Sequence, residues 1–302
     1  MKPEVSVIIP TFNRAAFLKS AIKSALHQTY DDIEIIVVDD NSSAPVHDVI
    51  KKLQDTRIKY IRHKHNFGVS VARNTGIKAS KGKYIAFLDD DDEWLPEKLE
   101  KQVEIIKKSS EKVCGIYSNF FIIDNFKKKT TDINPKIKVK RGNLFKQFAL
   151  GNPIHTSTVF IKKKCIKEIG LFDETISYME DRDLWIRLAA KWDFEYIDQP
   201  LIKILVHQKP KLSENIENQI KGRKKIIERY DYLFKKYKKA HSKLYLLQGA
   251  QYCQIKNMKE GRKNLINGIK IYPFNYNAYV HYILSLLGAN VYQRVRSAFG
   301  VK

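Results

Sequence analysis

The stretch YIAFLDDDDEW, residues 84–94, joins a short apolar run to four consecutive aspartates and a tryptophan. An apolar run of this length followed by so many acids reads as a buried strand that ends at a polar rim. Four adjacent carboxylates repel. At ~5 Å and an effective dielectric of ~20, each pair costs about 3 kcal/mol before relaxation. A solvated acidic turn tolerates that cost, and so does a site that holds a cation. In an extended segment residues i and i+2 share a face, which sends Asp89 and Asp91 toward one cation and turns Asp90 elsewhere. Two oxygen ligands with room for phosphate oxygens is the usual setting for Mg2+ or Mn2+. The structural alternative is that Asp92 caps the helix containing Pro96 and the other acids are solvated.

Outward from this stretch, strand-like runs alternate with helical patterns. VSVIIP (5–10), IEIIVVDD (33–40), RIKYIRH (57–63), KYIAFL (83–88) and VCGIYSN (113–119) read as strands. Between them, helical periodicity covers Ala15 to His27, Pro45 to Leu53, Val69 to Ser80, and a segment with Pro96 in its first turn that runs to Ser109. This alternation predicts an α/β fold with a mostly parallel central sheet flanked by helices. In such sheets ligands bind beyond the carboxyl ends of the strands. One rim would then collect Thr11 to Arg14, Asp39-Asp40 and the four aspartates. NFGVSVARNTG (66–76) adds a turn at Gly68 and a basic group, Arg73, that could meet phosphate or pair with a strand-end aspartate. Further along, Lys127 to Arg141 reads as a basic loop or hairpin and STVFIKK (157–163) as a strand. YMEDRDLWIRL (178–188) places Glu180 and Asp181 just ahead of an amphipathic helix. There they are either acids favoured by the helix dipole or a general base facing an acceptor.

From Lys211 strand signals stop, and helices fit 211–239, 242–256, 259–271, 275–287 and 290–299. The pair 242–271 looks like one tetratricopeptide-type hairpin, without the repeat period of a solenoid. The expected division is a catalytic domain over 1–210 and a basic helical extension over 211–302. Charge follows this division. Residues 1–200 carry 34 Lys and Arg against 28 Asp and Glu, whereas residues 201–302 carry 21 against 5, a net +16 out of +22 for the chain. Such asymmetry points to an anionic partner for the last third. Cys114, Cys165 and Cys253 are far apart, form no zinc-type pair and read as buried thiols. No apolar run reaches the ~18 residues of a membrane span, and no signal peptide is expected ahead of the first strand. A cytoplasmic chain is expected, peripheral on the inner face of the plasma membrane if the basic helices meet lipid.

The set VSVIIPTFNR, IEIIVVDDNS, NFGVSVARNTG, YIAFLDDDD and EDRDLWIR, in this order and spacing over about residues 4–207, resembles the family 2 glycosyltransferases of GT-A fold. The resemblance implies an inverting transfer of a sugar from a nucleotide-diphosphate donor, expected to be UDP-linked, to a hydroxyl of a glycan or lipid-linked acceptor in surface polysaccharide synthesis. It implies a hexosyltransferase dependent on Mn2+ or Mg2+. Pro10, Thr11, Asn13 and Arg14 match the loop near the nucleotide, and Asp39 matches the aspartate facing uracil or ribose. Asn66 and Arg73 match residues near base and phosphates. Asp89-Asp90-Asp91 matches the DxD motif, with Asp91 the direct metal ligand and Asp89 and Asp90 toward metal and ribose. Asp181 matches the catalytic base, with Glu180 beside it. In KILVHQKPKLS (203–213), His207 matches a histidine that contacts metal or diphosphate, although Leu205 stands where the motif has arginine.

Two other classes are weighed against this. A sugar nucleotidyltransferase shares the architecture but carries a glycine-rich loop after its first strand, which PTFNR lacks. A basic nucleic-acid-binding protein would use the last third, where Tyr230, Tyr232 and Tyr237 lie among lysines. The acidic rim of the first domain argues against nucleic acid there.

Overall fold

The computed structural model describes residues 2–43, 46–124, 129–133, 140–151, 154–206 and 215–299. It divides into two units, one of Met1–Phe148, Asn152–Glu174 and Asp181–Lys209, the other of Ala149–Gly151, Thr175–Glu180 and Pro210–Lys302.

The first unit begins with β1 (Val5–Thr11), α1 (Ala15–Leu26), β2 (Ile33–Asp39), α2 (Val46–Lys51), β3 (Ile58–Arg62), α3 (Val69–Ala79) and β4 (Tyr84–Phe87). Strands β3, β2, β1 and β4 are parallel neighbours in that order. Every residue of β1 and β4 is buried, so these strands are continuous apolar runs rather than alternating ones. Helix α1 covers one face through Leu18, Ala21, Ile22 and Ala25, spaced three and four apart as a helical stripe requires. Helix α3 approaches β1 so closely that a Cβ at Gly76 would lie 2.5 Å from the Ile8 side chain. The register sets Thr11 opposite Asp39, so the strand ends finish in line.

The second half of this sheet is mixed. β5 (Asp92–Trp94) is followed by α4 (Lys98–Lys108), β6 (Val113–Asp124), β7 (Lys129–Ile133) and α5 (Phe145–Leu150). Then come a single 3-10 turn (Thr156–Thr158), β8 (Phe160–Lys162), α6 (Lys163–Ile169), α7 (Glu180–Ala189) and β9 (Asp193–Val206). β8 lies antiparallel between β4 and β6, β9 runs parallel to β6, and β5 closes the edge antiparallel to β9. The fold is the expected GT-A α/β architecture, with two local corrections. STVFIKK is not one strand: its first half is the 3-10 turn and its last residue begins α6. β9 has no counterpart among the strands read from sequence, because its Pro200 and charged positions break the apolar pattern. β7 pairs antiparallel with β6, in keeping with the hairpin reading of the basic segment from Lys127. Pro45, expected to open α2, and His207 lie outside the described residues. Cys114, Cys165 and Cys253 are all buried and free.

The second unit is helical: α8 (Ile216–Phe234), α9 (Lys238–Gln254), α10 (Met258–Ile271), α11 (Tyr276–Leu286) and α12 (Ala289–Phe299). The single helix read over 211–239 ends at Phe234, and α9 starts four residues later. Leu246, Cys253, Leu265, Ala278 and Tyr292 form the core, with the buried His281 Nδ1 2.6 Å from the Tyr292 hydroxyl. Small residues allow tight packing here. A Cβ at Gly249 would lie 2.7 Å from Leu265, and one at Gly222 only 2.3 Å from the Tyr178 carbonyl oxygen. Because that neighbour is backbone, it cannot swing aside. Gly222→Ala is therefore expected to destabilise this unit by about 1–3 kcal/mol in spite of alanine's better helix propensity. Chemical denaturation followed by circular dichroism checks this, and an unchanged midpoint would contradict it. No helix among the described residues is long and apolar enough to cross a membrane.

Candidate active site

The four aspartates do not continue as an extended segment. The chain must reverse between β4 and β5, and it turns at Asp90-Asp91, with the Asp92 N–H donating to the Asp89 carbonyl oxygen at 3.1 Å. The turn sorts the carboxylates into two pairs. Asp90 and Asp91 face Arg14, whose Nη1 lies 3.3 Å from Asp90 and 3.0 Å from Asp91, and the Thr11 hydroxyl donates to Asp90 at 2.6 Å. Asp89 and Asp92 face the 155–157 segment. This corrects the expectation that Asp89 and Asp91 share a face. Nor does Asp92 cap a helix: it opens β5, and α4 begins after Glu97.

Two arginines balance this charge. Arg73, buried on α3 and stacked at 5.4 Å on Phe172, donates to Asp89 at 3.0 Å. Burial acts to raise the Asp89 pKa, but the charge of Arg73, then of His155, with Arg14 further off, holds it below the ordinary value. For Asp90 burial prevails. Against the pull of Thr11 and Arg14, and helped by Asp91 and Asp89, it pushes the carboxyl up to about 7.

The ligand atoms of Asp89, Asp92 and His155 all lie within 4.8 Å of one another. Two carboxylates and an imidazole at this spacing suit a divalent cation of the Mn2+ or Mg2+ type, and an ionised Asp89 is the form that binds one. The 155–157 segment connects this cluster to α7. Ser157 Oγ donates to Asp92 at 2.5 Å and accepts the Asp89 N–H at 3.1 Å. His155 Nδ1 is 3.4 Å from Asp92, and the Thr156 hydroxyl donates to Asp181 at 3.3 Å. Trp94 Nε1 holds the Ser157 carbonyl at 3.0 Å, and Gln102, itself fixed by buried Lys98, holds that of Thr158 at 2.9 Å. Asp181 thus stands at the start of α7, two side chains from the acidic cluster. Glu180 precedes it in the chain.

Toward the other end of the rim, Asp39 is fully buried. It accepts the Ser42 N–H at 2.8 Å and the Tyr60 hydroxyl at 2.7 Å, and Arg62 Nε lies 3.8 Å away. Burial, then the bond to Asp39, pushes the Tyr60 phenol up to about 12, so it stays a donor. Asn13, at φ 57°, accepts from the Ser43 N–H and hydroxyl, while its own N–H donates to Ser42 Oγ at 2.8 Å. Asp40 accepts the N–H groups of Phe67 and Gly68 at 2.9 and 2.7 Å and pairs with His63 at 2.7 Å, which fixes the turn into α3. Pro10 is buried at the end of β1, and Asn66 is exposed on the loop before α3. The sequence reading passed over Tyr60, His63 and the 155–157 segment, and gave Asp92 only a capping role. The clue was the polar run HTST inside an otherwise apolar region.

The matching family model is that of glycosyl transferase family 2, over residues 6–168. A glycosyltransferase of Rickettsia prowazekii is 36% identical over 207 residues, covering 68% of this chain and 64% of that protein. The chain thus spans less than two thirds of that relative. The Escherichia coli protein WfaP, a UDP-Glc:alpha-D-GlcNAc-diphosphoundecaprenol beta-1,3-glucosyltransferase, is 34% identical over 189 residues, covering 62% of this chain and 70% of its own length. In fold, Staphylococcus aureus TarS 1-349 solved with UDP-GlcNAc aligns at a TM-score of 0.69 and 15% identity, covering 98% of this chain and 91% of that one. Motif order, family model, relatives and fold converge, and the chain belongs to glycosyl transferase family 2.

Proposed function

We propose that this protein transfers a hexose from a UDP-linked donor to a hydroxyl of a glycan or lipid-linked acceptor, with inversion, in surface polysaccharide synthesis. The observation that carries the reading is the 155–157 segment, which ties Asp181 to the acidic pair Asp89 and Asp92. A general base and a cation site must stand this close when one reaction both deprotonates an acceptor and expels a diphosphate. The donor and acceptor classes follow the similarity to WfaP, whose donor is UDP-Glc and whose acceptor is a diphosphoundecaprenol-linked GlcNAc.

In this reading the base and ribose lie over the rim built by Pro10, Thr11, Asn13, Asp39 and Asn66. Asp90 and Arg73 face the ribose and phosphates. Asp89, Asp92 and His155 would hold a divalent cation, and Asp91, now paired with Arg14, would add a further carboxylate if the donor's diphosphate takes Arg14. When bound, the cation stabilises negative charge on the leaving diphosphate. Asp181, with Glu180 beside it, removes the acceptor proton, and the freed oxygen attacks the anomeric carbon from the side opposite the leaving group. His207 is kept as a candidate contact to metal or diphosphate. The basic helices over 211–302 are assigned to an anionic membrane surface on the cytoplasmic side.

Equilibrium titration with UDP, GDP and dTDP tests the donor part. UDP is expected to bind in Mn2+ and to weaken about tenfold or more, at least ~1.4 kcal/mol, after EDTA. Absence of binding by all three would overturn the reading.

A further inference from the structure

The helical unit contains a pocket of about 420 Å³ that no step of the proposed transfer uses. It lies among the end of α8, the start of α9 and the end of α10. Lys235, Lys238 and Lys270 surround it, and Tyr245 and Asn267 complete its wall. His241 forms its inner side. This residue is only 4% exposed, stacks on Phe234 at 5.5 Å, and has an Nε2 with no hydrogen-bond partner. Asp231 Oδ1 is 3.7 Å from that nitrogen, beyond hydrogen-bond distance, and Asp231 Oδ2 is paired with Lys235 at 2.8 Å. The single acid in the lining is therefore already neutralised. The ammonium groups of Lys238 and Lys270, with that of Lys235 shared with Asp231, and a buried ring nitrogen without a hydrogen-bond partner suit a phosphate group.

A second feature begins at the same end of the unit. Asn275, just before α11, donates to Ser242 Oγ at 2.8 Å, which sets the start of α11 against α9 next to His241. Helix α11 is amphipathic in the unusual sense. Its inner face is Ala278, His281 and Ser285, whereas Tyr276, Val280, Ile283, Leu286 and Leu287 point outward, Tyr276 being 72% exposed. No charged residue occurs in α11. An outward apolar stripe that opens on aromatic residues beside a cluster of lysines suits the headgroup layer of an anionic bilayer, where apolar burial and charge act together. A soluble phosphate ligand would leave that stripe unexplained.

We propose that this pocket binds the phosphate of an anionic lipid headgroup, and that the outward face of α11 enters the same layer. The site deepens the membrane part of the reading above and is independent of the transfer chemistry.

The test is co-sedimentation of the full chain with phosphatidylcholine vesicles, with and without phosphatidylglycerol. The chain is expected to pellet only with the anionic vesicles. Lys238→Gln/Lys270→Gln is expected to lose about tenfold or more of this affinity, and the equally charge-depleted Lys259→Gln/Lys263→Gln about threefold or less. Ile283→Ser/Leu286→Ser, on the exposed face, should weaken binding without lowering the melting temperature. UDP binding by all variants should be unchanged. Equal losses for the two lysine pairs would overturn the pocket. So would failure of the wild type to pellet. Saturable binding of inorganic diphosphate that is lost in Lys238→Gln/Lys270→Gln, by a chain that does not pellet, would identify a soluble phosphate as the ligand of this pocket and overturn the lipid assignment. A chain that pellets as expected but binds no UDP would leave this site standing and remove the transferase reading instead.

Discussion

Asp181→Asn is expected to lower turnover by about 10²–10⁴-fold, the range for removal of a general base, while UDP-sugar affinity stays within about twofold of wild type. The substitution is nearly isosteric, and the amide oxygen can still accept from Thr156, which now donates to the carboxylate at 3.3 Å. What the amide cannot do is take a proton from the acceptor. The loss should therefore fall on kcat and leave the donor Kd and the melting temperature in place. Glu180→Gln offers the comparison, because its carboxylate is proposed only as a neighbour of the base. If Asp181→Asn transferred sugar at the wild-type rate, the base would have to be sought elsewhere.

The second large effect concerns the acidic turn. Asp89→Asn is the informative substitution, since Asp89→Ala would strand the buried Arg73 guanidinium without its partner at 3.0 Å and cost stability as well as function. Asp89→Asn and Asp92→Asn are each expected to weaken Mn2+ binding by about tenfold or more and to lower turnover by about 10³-fold, as loss of charge stabilisation on a leaving group does. Asp91→Asn separates two arrangements. If Asp91 joins the cation only once Arg14 turns to the diphosphate, this variant should bind Mn2+ normally without UDP and poorly with it. Equal loss in both conditions would make Asp91 a ligand from the outset. EDTA should reproduce the turnover loss in the wild type, and Mn2+ should restore it. Full turnover in EDTA would remove the cation from the account.

The parallel half of the sheet was legible because β1, β2 and β4 are almost wholly buried and its helices carry clear stripes. Ile33 to Asp39 and Ala15 to Leu26 match their elements closely for that reason. The site was legible as a set of strand ends, which place Thr11, Asp39 and Asp89 on one rim. Two things were not. The sorting of the four aspartates depends on a turn forced by β5 pairing with β9, and nothing local in DDDDEW announces that pairing. The role of His155, Thr156 and Ser157 depends on a 3-10 turn wedged between β4 and β6. Pattern reading assigns that segment to a strand because Val159, Phe160 and Ile161 follow it. In both cases long-range pairing overrides local preference. The helical unit was nearly complete in the sequence, since helix periodicity is local. The outward apolar face of α11 was not, because a stripe alone does not say which side faces the core.

The most direct test is a donor panel of UDP-, GDP- and dTDP-sugars, incubated with the wild type in Mn2+ or EDTA and with Asp89→Asn and Asp181→Asn, reading release of free nucleoside diphosphate. Because release by water without acceptor is slow, each donor is also run with a polyprenyl-diphosphate-linked GlcNAc. Acceptor-stimulated release of UDP from one UDP-hexose, lost in EDTA and in both variants, is the predicted result. Release of pyrophosphate, or UDP release that persists in EDTA and in Asp89→Asn, would contradict it.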